Sequence, residues 1–216
     1  MKGLLLTSYY LVYRSSFLYT GLAILLSGII LSFADASMHR LVAMLNILLM
    51  VMSALDVIKF EGKSGYDKYV LTLPVSRSNI VQSHYLFYFL VVIYGVLLSC
   101  GIFYLYDLIS GTPIDGMLNS IFFGTFAVLL TGAINFPLYY IFGPEKSDSI
   151  TLGSVGGAIV ITIVSQDLVG YLAKHLTLPN SNDPDLYAPI IYLIIGVITY
   201  ALSLFFAIFI YRKKEF

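Results

Sequence analysis

The sequence has little charge. Only 11% of its 216 residues are Asp, Glu, Lys or Arg, whereas 59% are hydrophobic and the mean hydropathy is +0.89. A soluble domain of this size needs far more charge to cover its surface. The composition therefore excludes a water-soluble globular protein. At roughly 20 residues per membrane-spanning helix, the length allows about six such helices and no large soluble domain.

Cysteine, histidine and tryptophan are also scarce. The single cysteine, Cys100, excludes an internal disulfide bond and a zinc site built from cysteines. The histidines His39, His84 and His175 are scattered and form no pattern of metal ligands, so no metal site is predicted. Because tryptophan is absent, the 18 tyrosines must supply the aromatic belts at the membrane surfaces.

Hydropathy and turn residues predict one all-α, polytopic membrane domain over residues 1–216. Its predicted spans are about 17–34, 41–58, 80–106, 120–142, 150–169 and 190–211. Residues 1–16 mix apolar side chains with Lys2 and Arg14, which predicts an amphipathic helix lying in the membrane interface. Pro137 predicts a kink or a break in the fourth span. Residues 170–189 are too polar to span and too long for a simple turn.

Lysine and arginine are distributed unevenly between alternate loops. Ten of the twelve lie at the two ends of the chain, in residues 59–79 and in the turn 143–149, and the other two are Arg40 and Lys174. Loops rich in Lys and Arg remain in the cytoplasm. The count therefore predicts that both ends of the chain, residues 59–79 and the turn 143–149 face the cytoplasm.

Two short motifs resemble part of a nucleotide-binding site or a catalytic site, but the other residues that such a site requires are missing. Gly62, Lys63 and Ser64 end like a phosphate-binding loop, yet the glycine required five residues earlier is replaced by Val57 within a predicted span. Ser154 lies among glycines, but no histidine is predicted to lie at its depth to serve as a base. The small residues favour close helix packing instead. No catalytic residue is predicted, and the chain is not expected to bind ATP by itself.

The polar residues near the middle of the spans are neutral. Asn46, Asn135 and Gln166 are candidates to line a substrate pathway, and interhelical hydrogen bonding is the alternative account of them. A secondary transporter usually keeps an ionisable group at this depth and often shows an internal repeat, and neither is visible here. The absence of central charges favours a transport subunit whose energy is supplied by another protein. The alternatives are a secondary transporter, an intramembrane enzyme and a sensory membrane module.

The polar segment of residues 59–79 contains a predicted short helix. Tyr66, Tyr69, Val70 and Leu73 follow the spacing of one helical face, and Pro74 ends the helix because it disfavours a helical residue before it. Ser64 or Gly65 can cap its start, and Ser76 can cap the third span. A short amphipathic helix at the cytoplasmic surface either anchors the chain in the interface or contacts a partner, and the spacing alone favours neither.

The same segment resembles a known family. The stretch Gly65-Tyr-Asp-Lys-Tyr-Val-Leu-Thr-Leu-Pro-Val-Ser-Arg77, with Glu61 before it, is similar to the loop after the second helix in small bacterial type-2 ATP-binding-cassette permeases. Six spans, an amphipathic N-terminal segment and a polar segment before the last span also resemble that family. The likeness covers nearly the whole chain.

The resemblance implies a permease fold and a set of partners. The short helix would be a coupling helix that docks on a separate P-loop ATPase subunit, and ATP and Mg²⁺ would bind there, with no cofactor in this chain. A second copy or a sister permease would complete the transporter in the bacterial plasma membrane, and residues 170–189 would re-enter the outer leaflet. The cargo would be amphipathic or hydrophobic, as in exporters of phenol-soluble modulins or antimicrobial peptides. The implied ATPase contacts are Tyr66, Asp67, Lys68, Tyr69, Leu73, Pro74 and Arg77, with Glu145 and Lys146 as a second contact.

Overall fold

A computed structural model describes residues 2–33, 39–72, 74–110, 116–176 and 187–213, and every regular element within these ranges is a helix. The longer helices are α1 (Lys2–Phe33), α2 (His39–Ser64), α4 (Arg77–Ser110), α5 (Met117–Phe142), α6 (Ser147–Leu176) and α7 (Tyr187–Lys213). Between α2 and α4 lie the short helix α3 (Tyr66–Tyr69) and a 3-10 turn (Val70–Thr72), and a second 3-10 turn (Pro144–Lys146) joins α5 to α6. Within the described ranges six helices are long and apolar enough to cross a membrane, which confirms the predicted fold class.

Several predicted boundaries differ from the structure. Residues 2–33 form one uninterrupted helix, so the interfacial helix predicted over 1–16 does not end before the first span. Side-chain hydrogen bonds to carbonyls one turn earlier, such as Thr20 to Ser16, accompany this continuity. The second span continues to Ser64, so much of the predicted loop is helical. The predicted segment 170–189 begins as the last turns of α6, and residues 177–186 lie outside the described residues.

Helix α5 lies at the centre of the bundle and packs against α2, α6 and α7. Gly124 allows its close approach to α2, because a Cβ atom there would lie 2.9 Å from the Met44 Cα. Beside α5, the buried rings of Tyr85 and Tyr88 each contact the rings of Tyr200 and Phe136. The core is therefore aromatic where α4, α5 and α7 meet.

Pro137 lies inside α5 without ending the helix, so the predicted break is wrong. Proline has no N–H to donate, which leaves the carbonyl four residues earlier, that of Ala133, without its helical partner. The Ser203 hydroxyl on α7 donates to this carbonyl at 2.6 Å. Since that hydroxyl has a single hydrogen, the Tyr85 hydroxyl donates to Ser203 in turn, at 2.8 Å. A neighbouring helix thus satisfies the backbone group that proline leaves free.

Candidate functional site

The candidate site is the end of the bundle where α2, α5 and α7 end and α4 and α6 begin. Its centre is the predicted coupling segment, residues 59–79, and the structure places the short helix there as predicted. Gly65 has a positive φ of 71°, which ends α2, and its carbonyl accepts a hydrogen bond from the N–H of Tyr69. Ser76 precedes α4, and its hydroxyl accepts from the N–H of Asn79 at 3.3 Å, as expected of an N-cap.

The side chains of the short helix divide into an inner and an outer set. Val70 is 2% exposed and Tyr66 packs against the core, whereas Tyr69 is 58% exposed. Tyr69 was predicted to share the inner face. Its ring contacts that of Tyr66, with the centroids 6.1 Å apart, but remains largely exposed. Tyr69 and the exposed Pro74 therefore form the outward tip of the segment.

The structure describes only part of the remaining predicted contact residues. Asp67 and Lys68 belong to α3, but their side chains and residue Leu73 lie outside the described residues. Arg77 is half-buried, and its guanidinium donates to the carbonyl of Arg212 at 3.2 Å. Arg212 in turn donates to the hydroxyl of Ser78. The end of α7 is thus fastened to the start of α4, directly beside the short helix.

The second predicted contact lies against the last turns of α2. Glu145 and Lys146 are both exposed, in the 3-10 turn between α5 and α6. Pro144 of this turn packs on Gly62 of α2 so closely that a Cβ atom at Gly62 would lie 2.2 Å from the Pro144 Cβ. Lys59 and Asp148 form an ion pair between α2 and α6. The turn Pro144–Lys146 and the start of α6 are therefore held against the end of α2, which leads directly into the short helix.

Beneath this surface lies a buried charged group that the sequence analysis missed. The Glu61 carboxylate lies 2.8 Å from His84 Nε2, and both side chains are less than 9% exposed. The other ring nitrogen of His84 shares a hydrogen bond of 2.9 Å with the Tyr140 hydroxyl. A buried carboxylate is stable only when it is paired and hydrogen-bonded. This group joins the coupling segment to α4 and α5.

A signal for this group exists in the periodicity of α2. Its buried stripe runs through Ala43, Ile47, Met50, Ala54 and Val57 at intervals of three or four residues, and Glu61 is the next position. The predicted second span ends at residue 58 because charged residues follow it. Periodicity continued past that point would have predicted a buried carboxylate.

The three pathway candidates lie elsewhere in the bundle. Asn46 is buried and accepts a hydrogen bond from Ser27 of α1 at 2.5 Å. Asn135 is buried and donates to Ser154 of α6 at 3.0 Å. These contacts favour the alternative of interhelical hydrogen bonding for both asparagines. Gln166 is half-exposed on α6.

The two motifs set aside in the sequence have structural roles. Gly62, Lys63 and Ser64 form the last turn of α2, so they do not form a phosphate-binding loop, and Gly62 serves the contact with Pro144. Ser154 is buried and bonds to Asn135, whereas His84 bonds to Glu61 and Tyr140. In the part of the chain that the structure describes, no three His, Cys, Asp or Glu residues are grouped to hold a metal ion.

Six membrane-length helices with a short exposed helix at one end define a multi-pass membrane protein. A comparison with known families matches residues 3–212 to the ABC-2 family transporter protein. The chain therefore belongs to the ABC-2 family and is the membrane component of an ATP-binding-cassette transporter. Membership implies an ATP-binding partner, typically a P-loop ATPase, and indicates a transport subunit rather than a catalytic one. The chain matches no curated protein and no solved structure.

Proposed function

We propose that this chain is the permease subunit of an exporter in the bacterial plasma membrane, with both ends and the coupling segment in the cytoplasm. A separate P-loop ATPase binds ATP and Mg²⁺ and docks on α3 and the 3-10 turn after it. Two copies of the chain, or this chain and a sister permease, enclose the pathway. The cargo is amphipathic or hydrophobic, and peptides are the proposed class.

One observation carries this proposal: the short helix has an exposed tip and a firmly attached base. Tyr69 and Pro74 are exposed, and so are Glu145 and Lys146 in the turn that packs on the end of α2, which offers aromatic, apolar and charged groups for a protein contact. Exposed aromatic side chains of this kind are common anchors in protein interfaces. An interfacial anchor alone would not need the adjoining turn of α5 and α6 to be fixed beside it.

The attached base provides a route from the docking surface to the bundle. Glu61 pairs with His84 of α4, Gly62 packs on Pro144, and Arg77 bonds to the end of α7. Force on the short helix would thus reach α2, α4, α5, α6 and α7 together. Such a rigid unit suits a two-state switch in which nucleotide binding at one subunit biases the other.

The outer helices favour a pathway between two copies. Helices α1 and α6 leave large apolar side chains uncovered within one chain, including Leu18, Leu25, Leu152 and Val164, each at least 66% exposed. The proposed pathway follows α1, α2 and α6, where a surface of apolar and neutral polar groups would suit an amphipathic peptide. Asn46 and Asn135 would reach a substrate only if the helices separate, and Gln166 is already accessible.

The test is co-purification with a P-loop ATPase, which this proposal expects to be encoded beside this gene. Tyr69→Asp places a charge at the exposed tip, and we expect it to reduce the bound ATPase about tenfold or more while the chain still inserts. Asp67→Lys and Leu73→Asp are predicted to have the same effect. Tyr69→Phe keeps the ring and should retain the partner.

Tyr171→Asp, exposed near the opposite end of α6, is the positional control and should also retain the ATPase. Unchanged ATPase binding and transport in Tyr69→Asp, Asp67→Lys and Leu73→Asp would overturn the coupling-helix assignment. Transport by the chain without any ATPase would overturn the proposed function as a whole.

A further inference from the structure

A groove of about 580 Å³ opens on the outer surface of the bundle between α1, α2 and α4. Its walls include Leu6, Tyr9 and Phe17 from α1 and Leu90 and Tyr94 from α4, all of them 49–74% exposed. The volume lies within the range of sites that hold small molecules. It does not overlap the coupling segment.

The floor of the groove is buried and weakly polar. Met50 and Ser53 of α2 are each 1% exposed. Ser16 donates a hydrogen bond to Ser53 at 3.1 Å, and Thr20, whose hydroxyl lies 3.5 Å from the Met50 sulfur, donates to the Ser16 carbonyl at 2.7 Å. Because these hydroxyls already form hydrogen bonds within the protein, the floor of the groove does not need a polar ligand to satisfy them. The groove is therefore suited to a hydrocarbon chain.

A positive charge lies beside the groove, on the residue next to Tyr13. The Nε of Arg14 donates to the hydroxyl of Tyr13 at 2.9 Å, and Tyr13 lines the groove. The Arg14 side chain is exposed, so its terminal amino groups are accessible from outside the bundle. A guanidinium binds phosphate oxygens well, often with two parallel hydrogen bonds.

We propose that this groove binds an anionic phospholipid of the leaflet next to the coupling segment. An acyl chain lies between α1 and α4, and the headgroup phosphate lies at Arg14. Charge complementarity selects this occupant: hydrocarbon alone would fit the walls, but the guanidinium beside them favours a lipid with net negative charge over a zwitterionic one. The proposal does not depend on the ATPase partner or on the cargo.

The absence of tryptophan provides the test, since one introduced tryptophan is the only indole in the chain. Leu90→Trp places it on the groove wall, and Ile198→Trp on α7 is the matched control. The two positions are 49% and 53% exposed and lie a similar number of residues from this end of the bundle. Each variant is reconstituted with phosphatidylglycerol or phosphatidylcholine carrying brominated acyl chains, and fluorescence quenching is measured against the mole fraction of brominated lipid.

We expect Leu90→Trp to be quenched at a mole fraction of phosphatidylglycerol about fivefold lower than that of phosphatidylcholine. Ile198→Trp should respond equally to both lipids, and Arg14→Gln in the Leu90→Trp background should remove the preference. If Leu90→Trp does not insert, Tyr94→Trp on the same wall replaces it.

Equal quenching of the groove tryptophan by the two lipids would overturn the proposal. A preference that survives Arg14→Gln would overturn it as well. No quenching by either lipid, with the control still quenched, would show that a second copy of the chain covers the groove, and this too contradicts lipid binding.

Discussion

Neighbouring residues of α4 make two different kinds of polar contact. His84 bonds to the Glu61 carboxylate and to Tyr140, which fastens the coupling segment to the bundle. Tyr85 begins a neutral chain of hydroxyls through Ser203 to the Ala133 carbonyl, which compensates for Pro137. Loss of one partner leaves a buried charge in the first case and only a missing hydrogen bond in the second. The difference shows where the bundle depends on an intact pair.

The largest effect is expected at the charged contact. His84→Ala leaves the Glu61 carboxylate buried without its partner, and we expect it to lower the free energy of unfolding in detergent by about 3–5 kcal/mol, more than the loss from Glu61→Ala, which leaves only an imidazole. The matched control for Glu61→Ala is Glu145→Ala, because Glu145 is an exposed carboxylate at the same end of the bundle. The free energy of unfolding of each variant is measured by denaturant titration of the purified protein, with circular dichroism as the signal.

A double-mutant cycle isolates the pair itself. Glu61→Ala combined with His84→Ala should cost less than the sum of the two single changes, because the second substitution removes the group that the first leaves unpaired. Additive losses would show that the two side chains do not act together. That result would contradict the claim that the contact of His84 differs in kind from the contact of Tyr85.

A smaller effect is expected from backbone packing beside that pair. Gly62→Ala places a methyl group where Pro144 and the Tyr139 hydroxyl already lie, and we expect a loss of about 1–3 kcal/mol. Gly153→Ala is the control, since it adds the same methyl group to a helical glycine with no atom within 4 Å. The midpoints of thermal unfolding of the two variants are compared, and a similar midpoint for both would contradict the close contact between Gly62 and Pro144.

The smallest effect is expected on the neutral face. Ser203→Ala removes the donor to Ala133 and the acceptor of Tyr85, and hydrogen bonds between membrane helices average only about 0.6 kcal/mol. Ser32→Ala, which loses a hydrogen bond within one exposed turn of α1, serves as its control. A loss at Ser203 as large as that at His84 would remove the distinction between the two contacts.

Hydropathy was sufficient for the overall fold, because a membrane-spanning helix must be long and apolar to satisfy its backbone. The short helix was also predictable, since Gly65, Ser76 and Pro74 mark its ends through local backbone preferences. The site beneath it was not predicted. Glu61 and His84 are 23 positions apart, and each was interpreted from its charge rather than from its place on a buried stripe.

Close approaches between helices were equally hidden from the sequence. Nothing local to Gly62 indicates Pro144 as its neighbour, and nothing local to Pro137 indicates Ser203. Both contacts depend on how α2, α5 and α7 pack, which is a property of the whole bundle. Asn46 and Asn135 illustrate the same limit, because a buried asparagine and one lining a pathway have the same sequence context.

The central claim is that the short helix and the adjoining turn contact an ATPase subunit, and site-specific cross-linking tests it directly. The chain has a single cysteine, so Cys100→Ala gives a background in which Tyr69→Cys, Glu145→Cys or Tyr171→Cys is the only thiol. With a bifunctional thiol–amine cross-linker, we predict a covalent product with the ATPase from positions 69 and 145 and none from position 171. A product from position 171 alone, or none from position 69 in a complex that still co-purifies, would contradict the account.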